Sequence, residues 1–327
     1  MSARLDPATA ALLAEINQQP PSLALDSTPD ELRAGFSELL RHLHPDTPSP
    51  FIGSVRADVV GSAQGGVPVR VYDPVGATGE DVVVYLHGGG WVLGGLDSAE
   101  PAASGLATAM GVRVISVDYR LSPEHPHPAA YDDALAVTRA VAATKPRWLG
   151  VAGDSAGGNL AAAVGLAAAD RQVHVDAQLL FYPALDPSMR APSHAEFADG
   201  FLLTGEAMAY YWDAYRGPSR SAGASFAPLD APSVAGSPAT VLATAGHDPL
   251  RDEGARFAER LADSGVPTVH LRSPSLVHGW VDQMDRVPEA AAAFRRAVGV
   301  FDGLRRDHLT AVEGSTSARK REDHVRN

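Results

Sequence analysis

The serine at position 155 lies in a short segment whose residues suit nucleophilic catalysis. Residues 153–157 read Gly-Asp-Ser-Ala-Gly, follow an apolar run at 148–152, and precede an alanine-rich stretch. Where a strand turns directly into a helix, a serine at the turn is held in a strained bend that exposes its hydroxyl. The helix behind it also offers unpaired N–H groups. Ser155 is therefore the candidate nucleophile, and a glycine-rich turn with an incidental serine is the alternative.

A second glycine-rich segment, residues 87–91, reads His-Gly-Gly-Gly-Trp and follows a buried run that ends at Leu86. Backbone N–H groups in such a loop can turn toward a negatively charged oxygen and stabilise it. A phosphate-binding loop would need Gly-Lys-Ser or Gly-Lys-Thr after the glycines, and Trp-Val-Leu stands there instead. A flexible loop is the other alternative. We expect the amides of Gly88, Gly89 and Ala156 to form an oxyanion hole.

A serine hydroxyl needs a base to remove its proton and a carboxylate to orient that base. In this setting the chain order is Ser, then Asp or Glu, then His. Five histidines follow the serine and precede the C-terminal segment: His174, His194, His247, His270 and His278. His278 comes after the last predicted strand, at the carboxyl end of the sheet, so we predict that it is the base. Asp248 follows a strand end and is the predicted acid, whereas Asp252 is better placed to cap the next helix.

An aromatic stripe and two histidine pairs carry weaker signals. Four residues recur at helical spacing: Met208, Tyr211, Trp212 and Tyr215. This pattern is typical of packing against a core, and it is nearly as compatible with lining an acyl pocket. Trp91, Tyr211 and Trp212 are therefore candidate substrate-binding residues. The His-x-His pairs at 42/44 and 125/127 lack a third ligand at a suitable spacing, so no metal is predicted.

The elements that must position these residues alternate regularly from about residue 56. The predicted strands are 56–60, 67–72, 81–86, 113–117, 148–152, 177–181, 240–245 and 268–271. The predicted helices are 98–110, 128–143, 155–169, 206–215, 253–264 and 288–304. A strand-then-helix alternation after residue 81 predicts an α/β fold with a mostly parallel eight-stranded sheet and helices on both faces.

The alternation fails at one internal segment and at both ends of the chain. Residues 187–236 are rich in Pro, Ser and Ala and read as an insertion between core segments 51–186 and 237–309. Residues 1–50 carry two helices, one opened by Asp6 before a proline and one by a capping box at Thr28. Residues 310–327 are polar with mixed charge and are predicted to be a disordered tail.

Composition excludes several classes of protein. The chain has 327 residues, 45% of them hydrophobic and 20% charged, which is ordinary for a globular protein. Its formal net charge of −12 repels phosphate backbones, so no nucleic-acid partner is expected. Cysteine is absent, so neither a disulfide nor a thiolate nucleophile exists. Because no signal peptide or apolar run of spanning length is evident, we expect a cytoplasmic location and no membrane span.

Five motifs together resemble those of the hormone-sensitive-lipase-like (family IV) esterases of the α/β-hydrolase superfamily. They are residues 87–91 (HGGGW), 118–126 (DYRLSPEHP), 153–159 (GDSAGGN), 248–254 (DPLRDEG) and 278–280 (HGW). The resemblance implies an α/β-hydrolase fold, with residues 1–50 and 187–236 forming a helical cap. It assigns the same triad: Ser155, Asp248 and His278. Ser122 stands where alanine is more usual and Trp280 where phenylalanine is frequent, which affects pocket shape rather than mechanism.

The resemblance also implies an activity, the hydrolysis of short- to medium-chain carboxylic esters through an acyl-enzyme without any cofactor. The same triad would serve a deacetylase, an amidase or a lactonase, so these remain alternatives. A non-catalytic small-molecule receptor on the same fold is a further alternative, although such receptors lack a triad member. The expected partner is a small-molecule ester, and the sequence leaves both a monomer and a homodimer open.

Overall fold

A computed structural model of the chain describes residues 4–18, 25–44, 51–61, 65–218 and 222–325, with side chains as far as residue 313. The strands are β1 (Gly53–Val60), β2 (Val67–Pro74), β3 (Asp81–Leu86), β4 (Arg113–Val117), β5 (Trp148–Asp154), β6 (Ala177–Phe181), β7 (Ala239–His247) and β8 (Thr268–Val277). The helices are α1 (Pro7–Ile16), α2 (Pro29–Leu43), α3 (Glu100–Met110), α4 (Ala129–Ala143), α5 (Ala156–Ala169), α6 (Pro192–Glu196), α7 (Gly205–Arg216), α8 (Arg251–Asp263) and α9 (Pro288–Val325). Two 3₁₀ turns lie at Pro228–Asp230 and Trp280–Gln283.

The eight strands form one sheet in the order β1-β2-β4-β3-β5-β6-β7-β8. β2 pairs antiparallel with both β1 and β4, and all later pairings are parallel. Strands β3, β5 and β6 are buried along their whole length, as expected for parallel strands covered on both faces. The predicted α/β-hydrolase architecture with an eight-stranded, mostly parallel sheet is confirmed.

Helices cover both faces of the sheet with separate apolar cores. On one face the buried core includes Leu160 of α5 and Phe257 of α8, and on the other it includes Ala103 of α3 and Phe294 of α9. The parallel strands therefore present all their carboxyl ends at one edge, which is where ligands bind in open α/β sheets. None of the described helices combines the length and apolarity needed to cross a membrane.

The structure differs from the sequence-based prediction at three places. Strand β8 continues to Val277, past the predicted end at residue 271, so the strand delivers His278 directly. The five-residue helix α6 was not predicted, because it is too short to show an apolar period. Helix α9 runs through Val325, so the backbone of residues 310–325 is helical where a disordered tail was predicted. No proline follows Pro288 to end that helix.

Helix α1 packs against β8 and the segment between His278 and α9. Asp6 is its N-cap, as predicted, and the N–H of the same residue donates to the carbonyl oxygen of Ser275 (2.9 Å). Glu15 forms an ion pair with Arg286 (2.7 Å). The helix therefore lies on the body of the sheet domain beside the segment that follows His278.

Helix α2 is fastened to the body by one arginine. Arg33 Nε donates to the carbonyl oxygen of Val92 (2.9 Å) and its Nη2 to that of Ser122 (3.0 Å). Both Nη atoms also bond the Glu124 carboxylate, at 2.9 and 2.7 Å. One guanidinium thus joins α2 to the loop after residues 87–91 and to the 118–126 motif. The division of the chain into cap and core stays a prediction.

Replacing Arg33 with alanine should destabilise the protein by about 1–2 kcal/mol, because the carbonyls of Val92 and Ser122 would lose a charged donor. Arg41→Ala is the matched control, since Arg41 is exposed on the same helix and the structure describes no hydrogen bond for it. Its effect should stay within about 0.5 kcal/mol. Urea unfolding of both variants measures the difference, and equal losses would mean that Arg33 does not fasten α2.

Candidate active site

Ser155 occupies a strained backbone turn between β5 and α5. Its φ of 53° and ψ of −115° lie in a region that non-glycine residues rarely adopt. The surrounding backbone holds it there: its N–H donates to Phe181 O (2.9 Å), and its carbonyl oxygen accepts from Asn159 (3.0 Å) and Ala184 (3.2 Å). The predicted strand–turn–helix context of Ser155 is therefore present.

Helix α5 begins almost in contact with the end of β3, and this close approach explains the glycine at position 157. A Cβ atom there would lie 2.0 Å from the carbonyl oxygen of Leu86 and 2.4 Å from that of His87. Any side chain would push the helix away from the strand. Gly157 therefore sets how near Ser155 lies to the glycine-rich loop that follows β3.

The three residues predicted as a triad are joined by hydrogen bonds. His278 Nε2 lies 2.9 Å from Ser155 Oγ, and His278 Nδ1 lies 2.9 Å from Asp248 Oδ2. Asp248 follows the last residue of β7 and His278 follows the last residue of β8. Asp248 is fully buried, and its other carboxylate oxygen accepts from Leu250 N (2.8 Å). The ring of His278 packs against Tyr182 (4.7 Å between centroids).

The other histidines considered as bases have partners away from Ser155. His270 bonds Thr244 Oγ1 (2.9 Å) within the sheet, and His174 bonds Asp176 (3.0 Å). His247 packs against the rings of Phe197 and Phe201.

The remaining candidate base, His194 of α6, pairs with a buried glutamate of α8. His194 Nε2 lies 2.8 Å from Glu253, whose other oxygen accepts from Leu185 N (2.6 Å). Burial raises the pKa of Glu253, and the bond from His194 opposes that rise. This pair joins the insertion to the helix that follows Asp248.

Asp252 does not cap α8 as the sequence suggested. Leu250 occupies the N-cap position, and Asp252 is the second residue of the helix. Its carboxylate instead accepts from Ser193 N (3.0 Å) and pairs with Arg251 (2.7 Å). It therefore ties α6 to α8, and it is not joined to His278.

The glycine-rich loop after β3 is fixed at its start by His87 and Tyr119. The Tyr119 hydroxyl donates to His87 O (2.7 Å), and the two rings stack with centroids 4.1 Å apart. His87 Nδ1 lies 2.7 Å from Gly88 O. Burial lowers the pKa of His87 to about 4, so the ring is neutral at physiological pH. Tyr119, which belongs to the 118–126 motif, thus supports the loop directly.

The glycine-rich loop offers several unbonded amides near Ser155. In the described part of the chain, the N–H groups of Gly88, Gly89, Gly90 and Ala156 have no hydrogen bond to a protein acceptor. The oxyanion hole of Gly88, Gly89 and Ala156 therefore stays a prediction, and Gly90 is a further candidate donor that the sequence reasoning did not include. Nothing in the local sequence distinguishes these three consecutive glycines.

Helix α7 of the insertion packs directly on this loop through its aromatic stripe. The Trp91 ring stacks on Tyr215 (4.2 Å) and lies 4.5 Å from that of Trp212. Tyr211 lies over Gly90, where a Cβ atom would come within 2.3 Å of its ring. Trp91 and Trp212 are fully buried, so their visible role is packing. Substrate contact by Trp91, Tyr211 and Trp212 stays a prediction.

The histidine pairs considered as metal ligands have ordinary polar partners. His44 bonds Asp285 (2.8 Å) and His127 bonds Ser225 (3.1 Å). Within the described ranges, no three His, Cys, Asp or Glu side chains gather in a way that could hold a metal ion.

A cavity of about 1150 Å³ lies beside α2, between that helix, α3 and α9. Its wall includes Phe36 and Leu40 of α2, Phe294 of α9, and Asp282, four residues after His278. The triad itself does not line it. Among the residues of its wall, Asp282 is the nearest in sequence to His278.

Comparison with known proteins gives consistent results. Residues 83–282 match a family model described as alpha/beta hydrolase fold. Carboxylesterase NlhH of Mycobacterium tuberculosis is 40% identical over 249 residues, which cover 72% of this chain and 77% of NlhH. Esterase LipI of the same species is 37% identical over 301 residues, covering 88% and 92%. A thermostable esterase from Pseudomonas putida aligns with a TM-score of 0.83 at 30% identity, covering 91% and 97%.

The neutral, buried state of His87 predicts a pH dependence of stability. Its pKa in the folded protein, about 4, lies below the ordinary value of 6.5. Between those values the unfolded chain binds a proton that the folded chain does not, so stability falls as the pH drops from 6.5 toward 4. The slope from this residue reaches about 1.4 kcal/mol per pH unit.

Urea unfolding between pH 4 and 7.5 tests this expectation on the His87→Gln variant. Its stability should change less steeply with pH than that of the wild type. The exposed His125 provides the control variant His125→Gln, whose curve should run parallel to the wild type. If the His87→Gln and wild-type curves are parallel as well, His87 is not buried in its neutral form.

Proposed function

Because the chain belongs to the α/β-hydrolase family, in its hormone-sensitive-lipase-like branch, we propose that it hydrolyses carboxylic esters by acyl transfer to Ser155. The observation that carries this proposal is the continuous hydrogen-bonded path from Ser155 through His278 to Asp248, with both links at 2.9 Å. The names of its relatives and structural neighbours support the same enzyme class, a serine carboxylesterase.

In the acylation step, Ser155 Oγ attacks the ester carbonyl carbon while its proton passes to His278 Nε2. The buried Asp248 carboxylate accepts the Nδ1–H of the same ring and stabilises the imidazolium that forms. The tetrahedral intermediate then collapses, the carbon–oxygen bond to the alcohol breaks, and the alcohol leaves with the proton from Nε2. Ser155 is left esterified by the acyl group.

Negative charge develops on the carbonyl oxygen during this step. The N–H groups of Gly88, Gly89, Gly90 and Ala156, which have no protein acceptor among the described residues, are the donors available to it, and the N-terminus of α5 adds a positive partial charge. Removing one such donor typically costs about 10²–10³ in kcat. Water repeats the sequence in deacylation, with His278 as its base, and the carboxylic acid is released.

The covering of the site favours small acyl groups. Tyr211 lies over Gly90 within the loop after β3, and Arg33 holds α2 beside the same loop. We infer that residues 1–50 and 187–236 form a cap over the site, which excludes water and limits the length of the acyl chain. Short- to medium-chain esters are therefore the expected substrates.

Two alternatives remain from the sequence. A non-catalytic receptor gains no support, because all three triad residues are present and hydrogen-bonded. A deacetylase, amidase or lactonase would use the same groups, and no observation favours one of them over an esterase.

Replacing Asp248 with asparagine should lower kcat/KM by about 10⁴, because His278 would lose its counter-charge and its correct tautomer. Asp252→Asn is the matched control: it loses a partly exposed ion pair and a hydrogen bond, and should cost about 1 kcal/mol of stability with little change in kcat/KM. Steady-state kinetics and melting temperatures of both variants make the comparison. The reverse order of kcat/KM would mean that Asp252 is the acid.

A substrate panel should separate the acyl-transfer activities. We expect p-nitrophenyl acetate and butyrate to be cleaved at least about tenfold faster than the palmitate, and matched anilides and lactones more slowly still. Ser155→Ala serves as the blank for each substrate. Faster turnover of an amide or lactone than of the ester with the same acyl group would replace the esterase assignment by that alternative.

A further inference from the structure

Strand β1 forms an edge of the sheet that nothing in the described part of the chain covers. It pairs only with β2, and its residues from Gly53 to Val59 are all exposed. Four large apolar side chains on this strand or directly beside it face solvent: Ile52 (75% exposed), Val55 (51%), Val59 (59%) and Val75 (78%). A long, exposed, apolar edge strand is a template for pairing with another chain.

The hydrogen-bond register shows which backbone groups of β1 face the free edge. Ile52 O accepts from Val75 N (3.2 Å), and bonded and non-bonded positions alternate along an antiparallel pair. The N–H and C=O groups of the even-numbered residues of β1 therefore point to β2, and those of the odd-numbered residues point outward. In agreement, the Val59 N–H donates to the side chain of its neighbour Asp58 (2.9 Å). One row of backbone groups is thus available to a further strand.

The side chains of β1 are self-complementary when two copies meet antiparallel about a two-fold axis at Ala57. Residues equally far from the axis then lie opposite each other. Arg56 lies opposite the partner's Asp58, and Val55 lies opposite the partner's Val59. An axis at Arg56 or at Asp58 would instead place that charged residue opposite its own copy, and like charges directly opposite each other are destabilising.

We propose that β1 is a dimerisation strand whose partner is β1 of a second copy of this chain, paired antiparallel about Ala57. Each of the three outward-facing pairs exchanges two backbone hydrogen bonds, about six in all. The Val59 N–H then donates to the partner's Val55 instead of to Asp58. Arg56 and Asp58, which already form an exposed ion pair within one chain, become part of a group of alternating charges.

The exposed strand leaves room for this pairing. Neighbouring strands lie about 4.8 Å apart, so two copies of β1 separate the two β2 strands by about 14 Å. An antiparallel pairing turns the second sheet end for end, so the two candidate active sites open in opposite directions. Ser155 at the end of β5 is separated from β1 by three strands. Dimerisation is therefore independent of the proposed ester hydrolysis, and either proposal can fail without the other.

Sedimentation velocity of the full chain as a function of concentration tests the proposal. We expect a reversible dimer with a Kd of about 10–100 µM, because one strand pair buries less than the roughly 1,200 Å² of a standard interface. Arg56→Asp and Asp58→Arg should each weaken the dimer at least about tenfold, since each places like charges opposite each other. When the two variants are mixed, every charge faces its opposite again, so a heterodimer should form. Native mass spectrometry identifies it by its mass.

The controls separate pairing at β1 from other contacts. Arg296→Asp breaks an exposed ion pair on α9 and should leave the Kd unchanged. Because the chain has no cysteine, Ala57→Cys places a single thiol beside the axis, within reach of its copy for an oxidative cross-link. Ser54→Cys on the same strand places the two thiols about 20 Å apart and should not cross-link. Melting temperatures check that each variant is folded.

Four results would overturn the proposal. They are a wild type that stays monomeric at about ten times the expected Kd, a dimer that both charge reversals leave intact, no heterodimer in the mixture, and equal cross-linking of the two cysteine variants. Assemblies larger than a dimer would also contradict it, because pairing of β1 with the other sheet edge, β8, gives open-ended chains whereas the two-fold pairing closes.

Discussion

The whole site depends on the strained turn at Ser155. Its positive φ is maintained because α5 begins in contact with β3 and because backbone groups of β6 and α5 bond both sides of its peptide unit. Strain of this kind costs of order 1–3 kcal/mol and persists only where the surrounding structure over-determines it. Here the buried parallel strands provide that rigidity. As a result, the hydroxyl of Ser155 is held in a fixed position at the start of α5.

The remaining functional groups reach that hydroxyl from neighbouring strand ends. Asp248 and His278 leave β7 and β8 at the same edge of the sheet, and the glycine-rich loop leaves β3 there too. Packing from outside the sheet then sets the loop: Arg33 joins α2 to it, and the aromatic stripe of α7 lies on it. The proposed cap and the proposed catalytic groups are thus parts of one packed unit.

Much of the fold and of the candidate site could be predicted from local patterns of residue type in the sequence. Apolar runs revealed the strands β3, β5 and β6, because burial on both faces leaves a direct trace in residue type. Chain order then singled out Asp248 and His278, which the structure brings to hydrogen-bonding distance of each other and of Ser155. Contacts between distant segments left no such trace. The bonds from Tyr85 to Asp154, and from Ser193 to Asp252, depend on which strands and helices meet in three dimensions.

Covalent trapping of the nucleophile tests the central claim most directly. The wild-type protein would be treated with a p-nitrophenyl alkylphosphonate, and the adduct located by intact-mass measurement and peptide mapping. The account predicts one phosphonyl group per chain, on Ser155, in step with the loss of ester hydrolysis, and no adduct in Ser155→Ala. An adduct on another residue, or continued hydrolysis after Ser155 is fully modified, would contradict it.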